Sequence, residues 1–173
     1  MAEILTREEL WGYLNADPPL VQGMVDPDLQ VQVDGIELTV RQVARFADAG
    51  RIGVSEDERR ISRTAVLEFD EEGWIHLPQG CYKALFNEII AVPRDVVAIA
   101  RPRSTLLRNG MTVHTALWDS GYVGRSESLL VVYNPYGCRV RKDARLIQLV
   151  FFKLSRPVRV GYSGRYSGEN IDE

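Results

Sequence analysis

The sequence predicts one all-β domain, a distorted jelly-roll-like barrel with short helices and a mobile C-terminal arm. Two observations predict the barrel and a third predicts the arm. Short apolar segments recur at close spacing, at residues 65–69, 74–77, 82–86, 96–100, 111–118, 129–133 and 146–154. Between them stand Glu71-Glu72-Gly73, Pro78-Gln79-Gly80, Pro93-Arg94-Asp95 and Asn134-Pro135-Tyr136-Gly137, each a turn signal. Beyond Val160 the chain is polar and glycine-rich with no core pattern, so residues 1–160 form the domain and 161–173 the arm.

The elements follow in order. Thr6 with Glu8 and Glu9 opens an amphipathic helix through about Leu14, and Pro18-Pro19 lies beyond its end. Residues 29–33 alternate as a strand does, and Asp34-Gly35 turns it. Apolar residues at 40, 43, 44 and 46 favour a short helix over 38–46. The charged stretch 55–63 reads as a solvated loop. Residues 104–109 form one helical turn capped by Gly110. A strand over 111–118 then runs into the turn Asp119-Ser120-Gly121-Tyr122, and 128–133 returns. Alternation puts Thr115, Leu117 and Asp119 on one face of that hairpin, with Ala116 and Trp118 on the other.

Composition bounds the function. A chain of 173 residues suits one domain with a sizeable core. A net charge of −3 gives no electrostatic reason to expect nucleic acid or an anionic membrane as partner. No apolar run approaches a membrane span and no signal segment is visible, so a soluble, cytoplasmic protein is expected. Cys81 and Cys138 lack metal-ligand spacing and read as buried free thiols. His76 and His114 are the only histidines, which argues against a zinc site; His114 reads as structural.

Two places carry chemistry. Arg103 and Ser104 stand where a strand passes into a helical turn, so a guanidinium, a hydroxyl and backbone N–H groups can converge on an anion, with Arg108 one turn further on. Asp119 enters a tight turn, where it can be an Asx-turn residue or a carboxylate free for acid–base work.

Five stretches in order resemble the motifs of the dUTPase and dCTP deaminase superfamily. They are Gly35-Ile36-Glu37-Leu38-Thr39-Val40, Arg103-Ser104-Thr105-Leu106-Leu107-Arg108-Asn109-Gly110, the hairpin from Thr112 to Gly124, Arg145-Leu146-Ile147-Gln148-Leu149-Val150-Phe151, and Gly164-Arg165-Tyr166-Ser167-Gly168-Glu169-Asn170. A sixth stretch, Gly124-Arg125-Ser126-Glu127-Ser128-Leu129-Leu130, is similar to archaeal-type dUTPases. The resemblance implies a dUTPase-like barrel that hydrolyses dUTP to dUMP and pyrophosphate, with Mg2+ carried on the triphosphate. It implies that Asp119 activates the water that attacks the α-phosphate, and that Arg103, Ser104, Arg108 and Gln148 hold phosphate. Tyr122 would pack on the deoxyribose, and the backbone of Thr115, Ala116 and Leu117 would pair with the pyrimidine. Arg165 and Tyr166 would close over the triphosphate of a neighbour, in a homotrimer with shared sites.

Two positions depart from the family pattern. Glu37 stands where an aspartate usually helps to organise the metal through water, with Asp34 as a substitute. The deaminase glutamate would fall on Leu129 or Val131, and neither is acidic, although Glu127 is near. Hydrolysis is therefore favoured over dCTP deamination or a bifunctional enzyme. A third reading is a non-catalytic nucleotide-binding module on the same barrel.

Overall fold

Gly35–Phe46 is the strand on which the rest is assembled in the computed structural model, which describes residues 3–172. It pairs antiparallel with Arg145–Lys153 and Gly80–Phe86, and more briefly with Val31–Gln32 and Thr64–Leu67. Outward from these lie Glu3–Ile4 and Val96–Pro102, both on Arg145–Lys153. On the other side Glu127–Val132 joins Gly80–Phe86, and Met111–His114 closes that side. These nine strands make a curled antiparallel half-barrel, as the turn-punctuated apolar pattern predicts. Val21–Gln22, Ile89–Ala91 and Val123–Gly124 form a second small sheet, and Trp74–Leu77 pairs with Cys138–Arg141. Leu38, Phe86, Leu130, Ile147, Leu149 and Phe151 fill the interior. Each such side chain contributes about 1.5–3 kcal/mol by leaving water.

Three local expectations are corrected. Residues 38–46 are strand, not helix. The ladder slips by one residue between Val40 and Gln42, which reverses the inward face and gives the apolar residues a spacing that resembles a helical period. The strand expected at 29–33 begins as a helix, Pro27–Gln30, because Asp26 Oδ1 accepts from Leu29 N at 3.1 Å and Pro27 opens the first turn. The strand expected over 111–118 keeps its ladder only to His114, and Trp118 rejoins the protein by pairing with Ala98. The first helix is as expected: Arg7–Leu14, with Thr6 and Glu9 in a reciprocal capping box. Both cysteines are free thiols, but Cys81 is exposed and Cys138 half-buried. His114 is exposed.

Glu88 is a fully buried carboxylate beneath the central strand. It accepts from Thr39 N at 3.0 Å, Thr39 Oγ1 at 2.5 Å and Gln30 Nε2 at 2.7 Å. The same Gln30 amide reaches Glu37 O at 2.8 Å, tying this network to the strand that carries Glu37. Burial pushes the Glu88 carboxyl above the usual range, against the pull of those donors.

Candidate active site

The turn after the hairpin strand is held from below. Gly121 N donates to Val92 O at 2.9 Å, Val92 N to Tyr122 O at 2.8 Å, and Ser120 Oγ to Val96 O at 2.6 Å. Gly121 has φ +88°, which a side chain would resist. The turn bond runs from Tyr122 N to the backbone carbonyl of Asp119 at 3.0 Å. Among the described residues, the Asp119 side chain makes no such bond. Its carboxylate is exposed, so the residue is not spent on an Asx turn.

Asp119 borders a cleft of about 370 Å³ with Ala116, Leu117, Trp118, Tyr122, Glu127 and the arm residues Tyr162, Tyr166 and Glu169. Departure of the chain from the sheet after His114 has a chemical consequence. Among the described residues, the backbone N–H and C=O groups of Thr115, Ala116 and Leu117 have no hydrogen-bond partner. A planar ligand with alternating donors and acceptors can satisfy such an edge as a β-strand would. Trp118 Nε1 and Ser126 Oγ, both on residues of the cleft wall, are also buried without partners among the described residues. The wall carries three carboxylates and no lysine or arginine, so this cleft alone does not suit a triphosphate.

The arginine expected at the phosphates, Arg103, lies in another groove. Arg103 is half-buried at the start of the helix Ser104–Arg108, and its Nε meets Glu37 Oε1 at 2.5 Å. Arg145 Nη1 stands 2.8 Å from Glu37 Oε2 while donating to Leu29 O at 2.7 Å. Glu37 is 4% exposed, and both its oxygens face guanidinium groups. That donor set does not suit a resident metal ion, since a cation would have to displace an arginine from each side. Among the described residues, no group of three metal-binding side chains occurs elsewhere. Glu37 is thus ion-paired with two arginines, although its Oε2 is buried without a hydrogen-bond partner among the described residues.

Gln148 pairs with Glu37 on one side and Arg101 on the other, in the same row of the sheet. Gly35 is required nearby, because a Cβ there would stand 2.1 Å from Leu149 O. Arg103 and Arg145 share a second groove, of about 380 Å³, with Trp74, Arg139 and Arg141. Ser104 and Arg108 are exposed on the helix beside it.

The expected site residues thus fall into two groups. Ala116, Leu117, Asp119, Tyr122 and Tyr166 meet at the cleft, with Thr115 just beyond Leu117 in an adjoining groove beside Arg101. Arg103, Gln148 and Glu37 meet at the arginine cluster. Tyr166 lines the cleft of its own chain, because residues 161–170 are hydrogen-bonded to the adjacent turn, while Arg165 is exposed. Sequence reasoning assigned no role to Arg145, Tyr162 or Glu169. The signal for the last two was present in the glycines around them, which allow close backbone approach.

The curled antiparallel half-barrel, with the ordered motifs on it, defines a chain of the dUTPase and dCTP deaminase type. The chain belongs to that superfamily: residues 4–154 match the family model described as dCTP deaminase-like. A probable deoxyuridine 5'-triphosphate nucleotidohydrolase of Methanosarcina mazei is 47% identical over 98% of this chain and 99% of its own length. One of Archaeoglobus fulgidus is 46% identical over 88% of this chain and 89% of its own. The fold is also that of a 2'-deoxycytidine 5'-triphosphate deaminase from Agrobacterium tumefaciens, with a TM-score of 0.67 at 22% identity. That match covers 88% of this chain and 48% of the deaminase chain.

Proposed function

We propose that this protein is a dUTP diphosphatase acting on the Mg2+ complex of dUTP. The observation that carries the reading is the free Asp119 carboxylate set beside the unpartnered backbone of Thr115–Leu117. The backbone edge takes the uracil, and Tyr122 packs against the deoxyribose where a 2'-hydroxyl would collide. A water beside Asp119 loses its proton to the carboxylate as its oxygen bonds to the α-phosphorus. The bond from that phosphorus to the bridging oxygen breaks, and pyrophosphate leaves with the electron pair. Mg2+ enters as part of the substrate, since Glu37 is committed to Arg103 and Arg145.

The phosphates require cations that the cleft wall lacks. We assign that role to Arg103, Ser104, Arg108 and Gln148 of a neighbouring copy, which makes the working form a homotrimer with shared sites. Among the described residues, no helix is long and apolar enough to cross a membrane, and a cytoplasmic location fits a nucleotide hydrolase.

One observation favours a second reading. Glu127 lines the same cleft, where it would be placed for dCTP deamination. It is, however, already engaged by Lys83 Nζ at 2.7 Å, on the sheet beneath the cleft. Incubation with dUTP and dCTP in Mg2+, with separation of products, discriminates the readings. The expected result is dUMP and pyrophosphate from dUTP alone. Ammonia from dCTP would establish the deaminase, and binding without turnover would establish a non-catalytic module.

A further inference from the structure

The arm is docked on the turn of its own chain. Tyr162 N donates to Ser120 O at 2.9 Å, and Gly168 N to Val123 O at 2.7 Å. Arg125 N donates to Glu169 O at 2.9 Å and Arg125 Nε to Asn170 O at 3.0 Å, while Asn170 Nδ2 returns to Arg125 O at 3.0 Å. The two backbones are packed closely enough that a Cβ on Gly121 would lie 2.7 Å from Gly161 Cα. Tyr162 meets the ring of Tyr122 edge-on, with centroids 5.9 Å apart.

At the centre of these contacts Tyr122 Oη donates to Glu169 Oε1 at 2.7 Å. Gly124 leaves the space for that bond: a Cβ there would stand 2.7 Å from the Tyr122 hydroxyl and 3.1 Å from Glu169 Cγ. Among the described residues, Glu169 is the sole hydrogen-bond partner of the Tyr122 hydroxyl. The groups facing Glu169 from the sheet are Glu127 and Lys83, which are paired with each other. A ring that rejects a hydroxyl by contact must be held closely, because a misplacement of about 1 Å can cost on the order of a hundredfold in rate.

We propose that Glu169 is a positioning residue that fixes the Tyr122 ring and couples it to the docked arm, so that an arm residue of the same chain sets sugar selectivity. The proposal rests on the hydrolase reading of the cleft for its consequence, but not for the latch itself.

The test compares kcat and KM for dUTP and UTP in Glu169→Ala, Glu169→Gln, Tyr122→Phe and the double variant Glu169→Ala/Tyr122→Phe. Loss of a hydrogen bond to a charged group predicts a roughly tenfold fall in dUTP-over-UTP selectivity for each of Glu169→Ala and Tyr122→Phe, carried by KM for dUTP. Glu169→Gln keeps an acceptor oxygen and should keep most of the selectivity. The double variant should be no worse than either single one. Unchanged selectivity in Glu169→Ala, or additive losses in the double variant, overturns the proposal.

Amide hydrogen exchange in the nucleotide-free protein tests the latch separately. Gly168 and Arg125 should exchange faster in Glu169→Ala and in Tyr122→Phe, and at the wild-type rate in Glu169→Gln. If wild-type protein does not hydrolyse dUTP, the hydrolase reading and the sugar role fall together while exchange still reports on the latch. If hydrolysis is normal and exchange is unchanged by Glu169→Ala, the latch alone fails.

Discussion

The turn at Asp119 and the turn at Arg103 are both tight connections carrying a charged side chain, yet their charges are treated in opposite ways. Asp119 is exposed and, among the described residues, its carboxylate is unpaired, on a turn held by Val92 and Val96. Arg103 is half-buried and paired with Glu37, which a second arginine also faces. A catalytic base must keep a lone pair available, so its rigidity comes from the backbone beneath it. A phosphate-binding guanidinium keeps further N–H groups after one is engaged, so its rigidity can come from a carboxylate. Under the proposed function, the two turns would be the complementary halves of one site, since the cleft at Asp119 carries carboxylates and the turn at Arg103 carries cations.

The largest expected effect breaks the first half. Asp119→Asn keeps the shape but cannot take the water's proton, so kcat for dUTP should fall by about 10²–10⁴-fold with nucleotide binding retained. A fall of less than about tenfold, measured by pyrophosphate release, would remove Asp119 as the base.

Joining the halves is the next test. Asp119→Asn and Arg103→Ala are each expected to be inactive, but co-refolding equal amounts should recover about one quarter of wild-type activity if each site combines two copies. Recovery near zero would place both halves of the site in one chain, and light scattering should show three subunits.

The second half is sharpened by Glu37→Ala, which leaves Arg103 and Arg145 without their shared anion. A buried charge network broken on one side costs about 1–3 kcal/mol, so the melting temperature should drop and KM for dUTP should rise. Raising Mg2+ should not restore KM. Restoration by Mg2+ would return Glu37 to the metal.

The smallest effect concerns the network under that half. Burial raises the Glu88 carboxyl in the folded protein, so the folded state holds its proton more tightly than the unfolded chain does. Its contribution is fully present below the ordinary carboxylate value and is lost as pH rises through the raised one. The melting temperature of wild-type protein, minus that of Glu88→Gln, should therefore fall across that interval as pH increases. A difference independent of pH would show that Glu88 does not titrate there.

Much of this was legible in the chain. The Thr6–Glu9 capping box and the helical turn closed by Gly110 depend on neighbours a few residues away, and each formed as its local chemistry directs. Positions 38–46 misled because their apolar spacing is the product of a ladder slip, which exists only once Gly80–Phe86 is alongside. The surroundings of Glu37 were not legible for a similar reason. Its partners are 66 and 108 residues further along, and only the pairing of Arg145–Lys153 with Gly35–Phe46 brings Arg145 to it. By itself the sequence determined the all-β class, the ordered motifs and the identity of Asp119 and Arg103 as chemical candidates, since these rest on local pattern and side-chain type. Only the tertiary structure decided that the arm lies on its own turn, that Glu169 holds Tyr122, and that Glu37 faces arginines. Those are long-range contacts between charged or polar groups, and whether such a group is free or satisfied depends on what the fold packs against it.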